Sequence, residues 1–326
     1  MTSILRRHSN FDEIFGDSRA FDCTIANEDY FIFFTREPEP DWMQDKEGYS
    51  YNDGDVDKRL IAYDRTQSTA EAQLNLLSGN VKGFSFPECA MTYTPLEQVI
   101  VYDGGEGSFS IGSGQRALEI TELLRGSRKS RTIGDKIYVA QARRRVKYRT
   151  GESHWQLLGD DIGLPSDITA QTRIASGFMD VDGFDENHIY AVGGEGDVWR
   201  CIDNQWIQCG FPTNLDLDVV CCAGDGKVYI AGTQGLAYVG KEDNWQQVKG
   251  ALSSLPFKDM VWHEDKIWCS NDYGLWWITD GKVELAKVPI EVRGCSGSLS
   301  SQFGKLLVAG YGGAALHENG EWTLLF

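Results

Sequence analysis

Four short apolar runs recur along the second half of the chain: Ile189-Tyr190-Ala191-Val192, Val228-Tyr229-Ile230-Ala231, Ile267-Trp268-Cys269-Ser270 and Leu306-Leu307-Val308-Ala309. Their second residues fall at 190, 229, 268 and 307, so each step is 39 residues. Runs this short, apolar throughout and bounded by turn residues, predict buried strands. A fixed period near 40, built of strands and glycine turns, is the mark of a repeat array.

The polar positions between the runs repeat as well. After Tyr190 come Gly193, Gly194 and Gly196, then Val198-Trp199-Arg200, then Asp203-Asn204, then Trp206. After Tyr229 the same places hold Gly232 and Gly235, Leu236-Ala237-Tyr238, Asp243-Asn244 and Trp245. After Leu307 they hold Gly310, Gly312-Gly313, Ala314-Ala315-Leu316, Asn319-Gly320 and Trp322. The unit of Trp268 has Asp280-Gly281, with Val283 near the expected tryptophan. Asp-Gly and Asn-Gly pairs suit tight hairpins.

The pattern extends backwards through Ile137-Tyr138-Val139-Ala140, Val99-Ile100-Val101 and Tyr30-Phe31-Ile32-Phe33-Phe34, giving seven units. A further apolar strand precedes the repeated one, as in Val219-Val220-Cys221-Cys222-Ala223, so each unit carries four strands. The expectation is an all-β fold, a seven-bladed β-propeller with four-stranded antiparallel blades. One domain over 1–326 follows, with an N-terminal arm at 1–20, an insertion in blade 1 at 35–58 and a long inter-blade loop at 159–177.

Composition narrows the function. The net charge is −17 and 41% of residues are hydrophobic, enough for a core. The acidity argues against nucleic acid, whose affinity rests on phosphate contacts, and against anionic membrane surfaces; it suits a basic protein partner. No apolar run is long enough to span a membrane. The segment from Met1 to Phe15 lacks the apolar stretch of a signal peptide. The eight cysteines show no disulfide framework, which fits buried thiols in a cytoplasmic protein.

Function in a repeat protein is sought where copies depart from the pattern. The blade 1 insertion is acidic and carries Trp42, Tyr49 and Tyr51, residue types that dominate binding hot spots. Its Asp53-Gly54-Asp55-Val56-Asp57 resembles the start of a calcium loop, but Lys58 stands where the glycine is required; no metal is expected. A basic stretch from Arg125 to Arg149 places Arg143, Arg144 and Arg145 on the turn between the second and third strands of blade 3, a candidate site for a carboxylate-rich or phosphorylated partner. Alternatively, these cations pair with the acidic insertion or meet solvent. The third departure is the loop 159–177. Turns of these kinds project from one propeller face.

No Walker loop, HExxH, CxxC or GxSxG is present, so neither a cofactor nor an enzymatic reaction is expected. The strand ends Ala191-Val192-Gly193, Ala231-Gly232 and Ala309-Gly310, with the turns Asp203 to Trp206, Asp243 to Trp245 and Asn319-Gly320 to Trp322, resemble propellers of the Asp-box and photosystem assembly-factor types. The full Asp-box is absent, so the resemblance implies the fold and carries no functional residues over. The reading is a cytoplasmic, non-enzymatic, protein-binding propeller. Its most concrete form is an immunity protein that neutralises a basic toxin or effector through Trp42, Tyr49, Tyr51, Arg143, Arg144 and Arg145. An assembly scaffold and a glycan-binding or glycan-acting propeller are the alternatives.

Overall fold

The computed structural model describes residues 3–39, 53–85, 87–104, 107–119, 124–164, 176–250 and 255–326. The chain is an all-β, seven-bladed propeller of four-stranded antiparallel blades. Blade 1 holds β1 (Arg19–Asn27), β2 (Tyr30–Arg36), β3 (Lys58–Asp64) and β4 (Leu74–Val81). Blade 2 holds β5 (Glu88–Thr92), β6 (Gln98–Tyr102), β7 (Ser108–Gly112) and β8 (Gln115–Leu118). Blade 3 holds β9 (Ser127–Ile133), β10 (Lys136–Gln141), β11 (Arg145–Gly151) and β12 (His154–Leu157). Blade 4 holds β13 (Phe178–Asp185), β14 (His188–Gly193), β15 (Asp197–Ile202) and β16 (Gln205–Cys209). Blade 5 holds β17 (Leu217–Cys222), β18 (Val228–Gly232), β19 (Ala237–Lys241) and β20 (Asn244–Gln247). Blade 6 holds β22 (Asp259–His263), β23 (Lys266–Asn271), β24 (Gly274–Thr279) and β25 (Lys282–Leu285), and the short β21 (Lys249–Gly250) adds a parallel rung outside β25. Blade 7 holds β26 (Gly297–Gln302), β27 (Lys305–Gly310), β28 (Gly313–Glu318) and β29 (Glu321–Leu324).

The repeated apolar runs are the second strands of the blades. β14, β18, β23 and β27 are buried along nearly their whole length, because neighbouring sheets cover both of their faces. The fourth strands, such as β16 and β20, expose most of their residues. Val283 occupies the missing tryptophan position and is buried. The glycine ending the second strand has a steric reason. A Cβ at Gly193, Gly232 or Gly310 would lie about 2 Å from the carbonyl oxygen of Gly177, Asp216 or Ser296, where the first strand of the same blade begins.

The blades pack as two compact units. In the first (Met1–Cys89, Asp272–Gly274 and Lys287–Phe326), β1 packs against β26 and so joins blade 1 to blade 7. The Ser298 hydroxyl donates to the Phe21 carbonyl at 3.1 Å, and the Ile25 N–H donates to the Ser300 hydroxyl at 3.1 Å. Blade 7 consists wholly of C-terminal strands, and the arm supplies an extra fastening rather than a strand. The Leu5 N–H donates to the Leu325 carbonyl at 2.8 Å. Helix α1 (Phe11–Phe15) buries Phe11, Ile14 and Phe15 in the unit's core, with Phe15 and Phe326 ring centroids 4.5 Å apart.

In the second unit (Ala90–Asn271 and Leu275–Ala286), first strands of successive blades are tied by aspartates. The Asp180 carboxylate accepts from its own neighbour Val181 N–H at 2.8 Å and from Val220 N–H of blade 5 at 3.0 Å. Two residues on, Asp182 accepts from Gly183 N–H at 2.9 Å and from Cys222 N–H at 2.7 Å. These bonds satisfy backbone donors on strands that have no sheet partner on that side. All eight cysteines carry thiols rather than disulfides, including Cys201 and Cys209. Among the described residues, no helix is long and apolar enough to cross a membrane.

Candidate partner-binding face

The turn from second to third strand is built alike in blades 3, 4 and 5, and its tip residue varies. Five residues beyond Tyr138, Tyr190, Tyr229, Trp268 and Leu307 stand Arg143, Glu195, Gln234, Tyr273 and Gly312. Arg143, Glu195 and Gln234 share the left-handed conformation, with φ of 65°, 59° and 64°. Each of these three tips is exposed. A fixed turn carrying a changed side chain suits recognition, since binding groups sit on loops held by a rigid scaffold.

The three candidate arginines have separate fates. The Arg144 guanidinium pairs with Asp197 of blade 4 (Nη2 to Oδ1, 3.1 Å) and lies 5.5 Å from the Trp199 ring centroid. The Trp199 indole N–H also donates to Asp197, at 2.7 Å. Arg145 pairs with Asp161 at the start of the long inter-blade loop. That hydrogen bond, with help from the Gly163 N–H, holds the Asp161 carboxyl below its usual range. The Arg143 side chain is exposed, while its backbone N–H donates to the Ser176 carbonyl at 3.0 Å. The turn of blade 3 therefore touches both described ends of the 159–177 loop.

Much of the remaining basic stretch is engaged inside the unit. Lys129 and Arg131 reach from β9 to Asp259 on β22 at 2.9 and 2.6 Å, and Arg131 also approaches Asp180 at 3.3 Å. Burial works against the Arg131 charge, but Asp259, Asp180 and Asp182 outweigh it and hold the guanidinium firmly protonated. Burial pushes Asp182 up to about 6 despite Arg131 and its two N–H donors. Lys136 pairs with Glu186. Arg149 is buried against Glu119 and Gln98, with Nη2 2.7 Å and 3.2 Å from their oxygens. These carboxylate partners belong to blades 2, 4 and 6 or their linking loops.

In the first unit the insertion falls between Arg36 and Lys58, because Thr35 still pairs with Arg59 in the sheet. Trp42, Tyr49 and Tyr51 lie outside the described residues. The base of the insertion is a charge network: Arg36 with Asp53 at 2.7 Å and Arg59 with Glu37 at 2.6 Å. The resemblance to a calcium loop has a structural answer. The buried Lys58 ammonium donates to the carbonyls of Asp53 at 2.6 Å and Val56 at 3.1 Å, and sits 3.4 Å from the Asp53 carboxylate. A cation of the protein's own gathers the oxygens of this turn.

Sequence reasoning overlooked three exposed apolar residues of the first unit: Tyr273 (79% exposed), Ile290 (68%) and Tyr311 (52%). The signal was present, since Tyr273 stands at the repeat position of Glu195 and Gln234. An open groove of about 700 Å³ in the second unit was also missed; it runs between the Glu195 turn and the loop through Phe211 and Thr213.

The architecture defines a β-propeller, and comparisons agree at that level. It is similar to the WD40 β-propeller domain of Doa1 (TM-score 0.57, 11% identity, 90% of each chain). It is also similar to YCF48 bound to D1 peptide (TM-score 0.57, 13% identity, 92% of this chain and 93% of that one). Likeness to propellers of different kinds establishes the fold and not the Asp-box family. No family model matches the chain. By sequence it is similar to the immune protein Tsi7 of Pseudomonas aeruginosa strain PAO1, 25% identical over 201 residues. The match spans 60% of this chain and 64% of that relative's length.

Proposed function

We propose that this chain is a non-enzymatic, protein-binding propeller that acts in the cytoplasm as an immunity protein, neutralising a toxin or effector by capping it. The observation that carries the reading is the 201-residue similarity to a protein named as an immune protein. The turn chemistry supports it: one backbone design presents Arg143, Glu195 and Gln234 in succession. The buried carboxylates Asp180, Asp182 and Asp259 accept backbone N–H groups and face arginine or lysine, as structural fasteners do. A net charge of −17 favours a basic partner through complementary potentials.

The test has two stages. Tagged protein is used to capture partners from the native cell at low and moderate salt, read by mass spectrometry. The captured protein is then expressed in a heterologous host with and without this chain. The expected result is one stoichiometric partner that arrests growth alone and is harmless with the propeller present. A partner that is harmless on its own would favour the scaffold reading, and the absence of any protein partner would overturn protein binding.

A further inference from the structure

We propose, resting on the immunity reading, that the groove beside the Glu195 turn docks a basic segment of the neutralised protein, and that a lysine or arginine of that segment enters it to meet Glu195. The groove lies within the second compact unit and has a volume of about 700 Å³, in the range of ligand clefts. Its walls are the turn between β14 and β15 and the connection from β16 to β17. The walls are joined. The Gly196 N–H donates to the Leu215 carbonyl at 2.8 Å, and the Glu195 N–H donates to the Asp216 carboxylate at 3.1 Å. A Cβ on Gly196 would fall 1.9 Å from the Thr213 carbonyl oxygen, so glycine alone permits the approach.

The lining says what can enter. Glu195, Gln208, Thr213 and Asn214 present polar groups, and Phe211 with Pro212 forms a short apolar stretch. Phe211 is fixed by its neighbours, its ring centroid 5.0 Å from that of Tyr238 and 5.3 Å from that of Trp245. A basic side chain suits both parts: its methylene stem lies along the apolar stretch while its charged head reaches the carboxylate. The aromatic ring adds attraction for the cation. A purely apolar anchor would leave the polar lining without partners.

Charge fixes the sign of the occupant. Glu195, Asp216 and Asp243 are exposed, and the Gly210 N–H donates to the Asp243 carboxylate at 2.7 Å, which places that acid at the Gly210 end of the groove. Among the described residues none of these three carboxylates is ion-paired. The cations on the elements around the groove are engaged: Arg144 with Asp197, Arg200 with Glu242 at 2.7 Å, and Lys129 with Asp259 at 2.9 Å. Lys241 lies 4.9 Å from the Phe184 ring centroid, and Arg143 stands on the turn of blade 3, outside the lining. Behind Asp216, the Asp218 carboxyl is held above its usual range, by burial first and then by the Asp216 charge, against the pull of Lys129. The turn itself does not dictate an acid at its tip, since Gln234 holds the same conformation in blade 5, with φ of 64° against 59°.

The experiment uses the full chain in its native cell. The photo-crosslinker p-benzoylphenylalanine is substituted singly at Pro212, Asn214 and Leu118; Leu118, 85% exposed on the fourth strand of blade 2, is the control. The expected result is that 212 and 214 crosslink to the neutralised protein within a peptide bearing lysine or arginine, and 118 does not. With that protein purified, E195Q should weaken binding on the order of 30-fold and E195K further. E152K, the same charge change on the third-to-fourth-strand turn of blade 3, should weaken it less than about 3-fold. Replacing the crosslinked cation of the partner by glutamate should weaken binding to wild type and restore binding to E195K. Thermal melts verify that all variants are folded. A neutralised protein that binds E195K as tightly as wild type, or that crosslinks through a segment without lysine or arginine, would overturn the groove assignment and leave the immunity reading standing. A protein that obeys the charge swap but is harmless when expressed alone would overturn the immunity reading and leave the groove as a docking site. A wild-type chain that captures no protein would overturn both.

Discussion

Arg149 separates a structural role from a binding role within the basic stretch, and it yields the sharpest energetic prediction. Its side chain is about 1% exposed, and that of Glu119 is fully buried. The guanidinium contacts the carboxylate through Nε at 3.0 Å and Nη2 at 2.7 Å, and the Ser153 N–H donates to the second carboxylate oxygen at 3.3 Å. Removing one partner of such a pair strands a charge without water and costs about 3–5 kcal/mol. R149M should therefore lower stability by that amount, and E119L by a similar amount. For a protein of this size the fall in Tm is roughly 10 °C. R149M/E119L should cost less than the sum of the two, since no lone charge remains buried. Thermal and denaturant unfolding of the four proteins measures the cycle, and affinity for the partner should not change among the folded variants. A cost under about 1 kcal/mol for R149M, the range of an exposed pair, would refute the reasoning.

The remaining predictions concern the other charges. K58M removes the ammonium that holds Asp53 and Val56 and should lower Tm; addition of millimolar calcium should leave the wild-type Tm unchanged, as calorimetry would show. Burial raises the folded-state pKa of Asp182 to about 6, above its unfolded value near 4. Its contribution is therefore most favourable below pH 4 and is lost as pH rises through 6, so D182N should gain stability relative to wild type over that window in pH-dependent melts. The groups facing it are Arg131, Asp180 and the Gly183 and Cys222 N–H groups. Reversing all three arginines of the blade 3 turn would confound binding with folding, because Arg144 and Arg145 are ion-paired. R143E alone should leave Tm within about 1 °C, and R144E should lower it by breaking the contact with Asp197 and Trp199.

The fold was legible because the repeat is enforced by packing. A second strand covered on both faces must be apolar along its length, and a 39-residue period follows from repeating one blade. The strand-end glycine was visible, but its reason, a carbonyl about 2 Å from any Cβ, lies in a segment 16 residues earlier at Gly193 and Gly232. The arginine-rich stretch looked like a surface because sequence shows sign and spacing but not partners. Lys129 and Arg131 meet Asp259, some 130 residues away along the chain, and no local pattern encodes that pairing. The aspartate ties Asp180 to Val220 and Asp182 to Cys222 were hidden for the same reason: both span 40 residues and end on backbone N–H groups, which carry no residue signature.

These long-range pairs also bear on where recognition resides. Charges that appear conspicuous in the sequence, from Lys129 to Arg149, are largely consumed in fastening blades, so they are poorly placed to discriminate partners. A side chain whose charge is already neutralised contributes little further complementarity, and displacing its partner has a cost in stability. The residues placed to discriminate are those exposed at the tips of the turns. Arg143 projects from a turn whose backbone is already held by Ser176. Tyr273 occupies a tip that elsewhere is Glu195 or Gln234. On the immunity reading, substitution at such tips should change affinity without disturbing the strands beneath, and a binding protein must vary its surface in that way if one fold is to meet different partners.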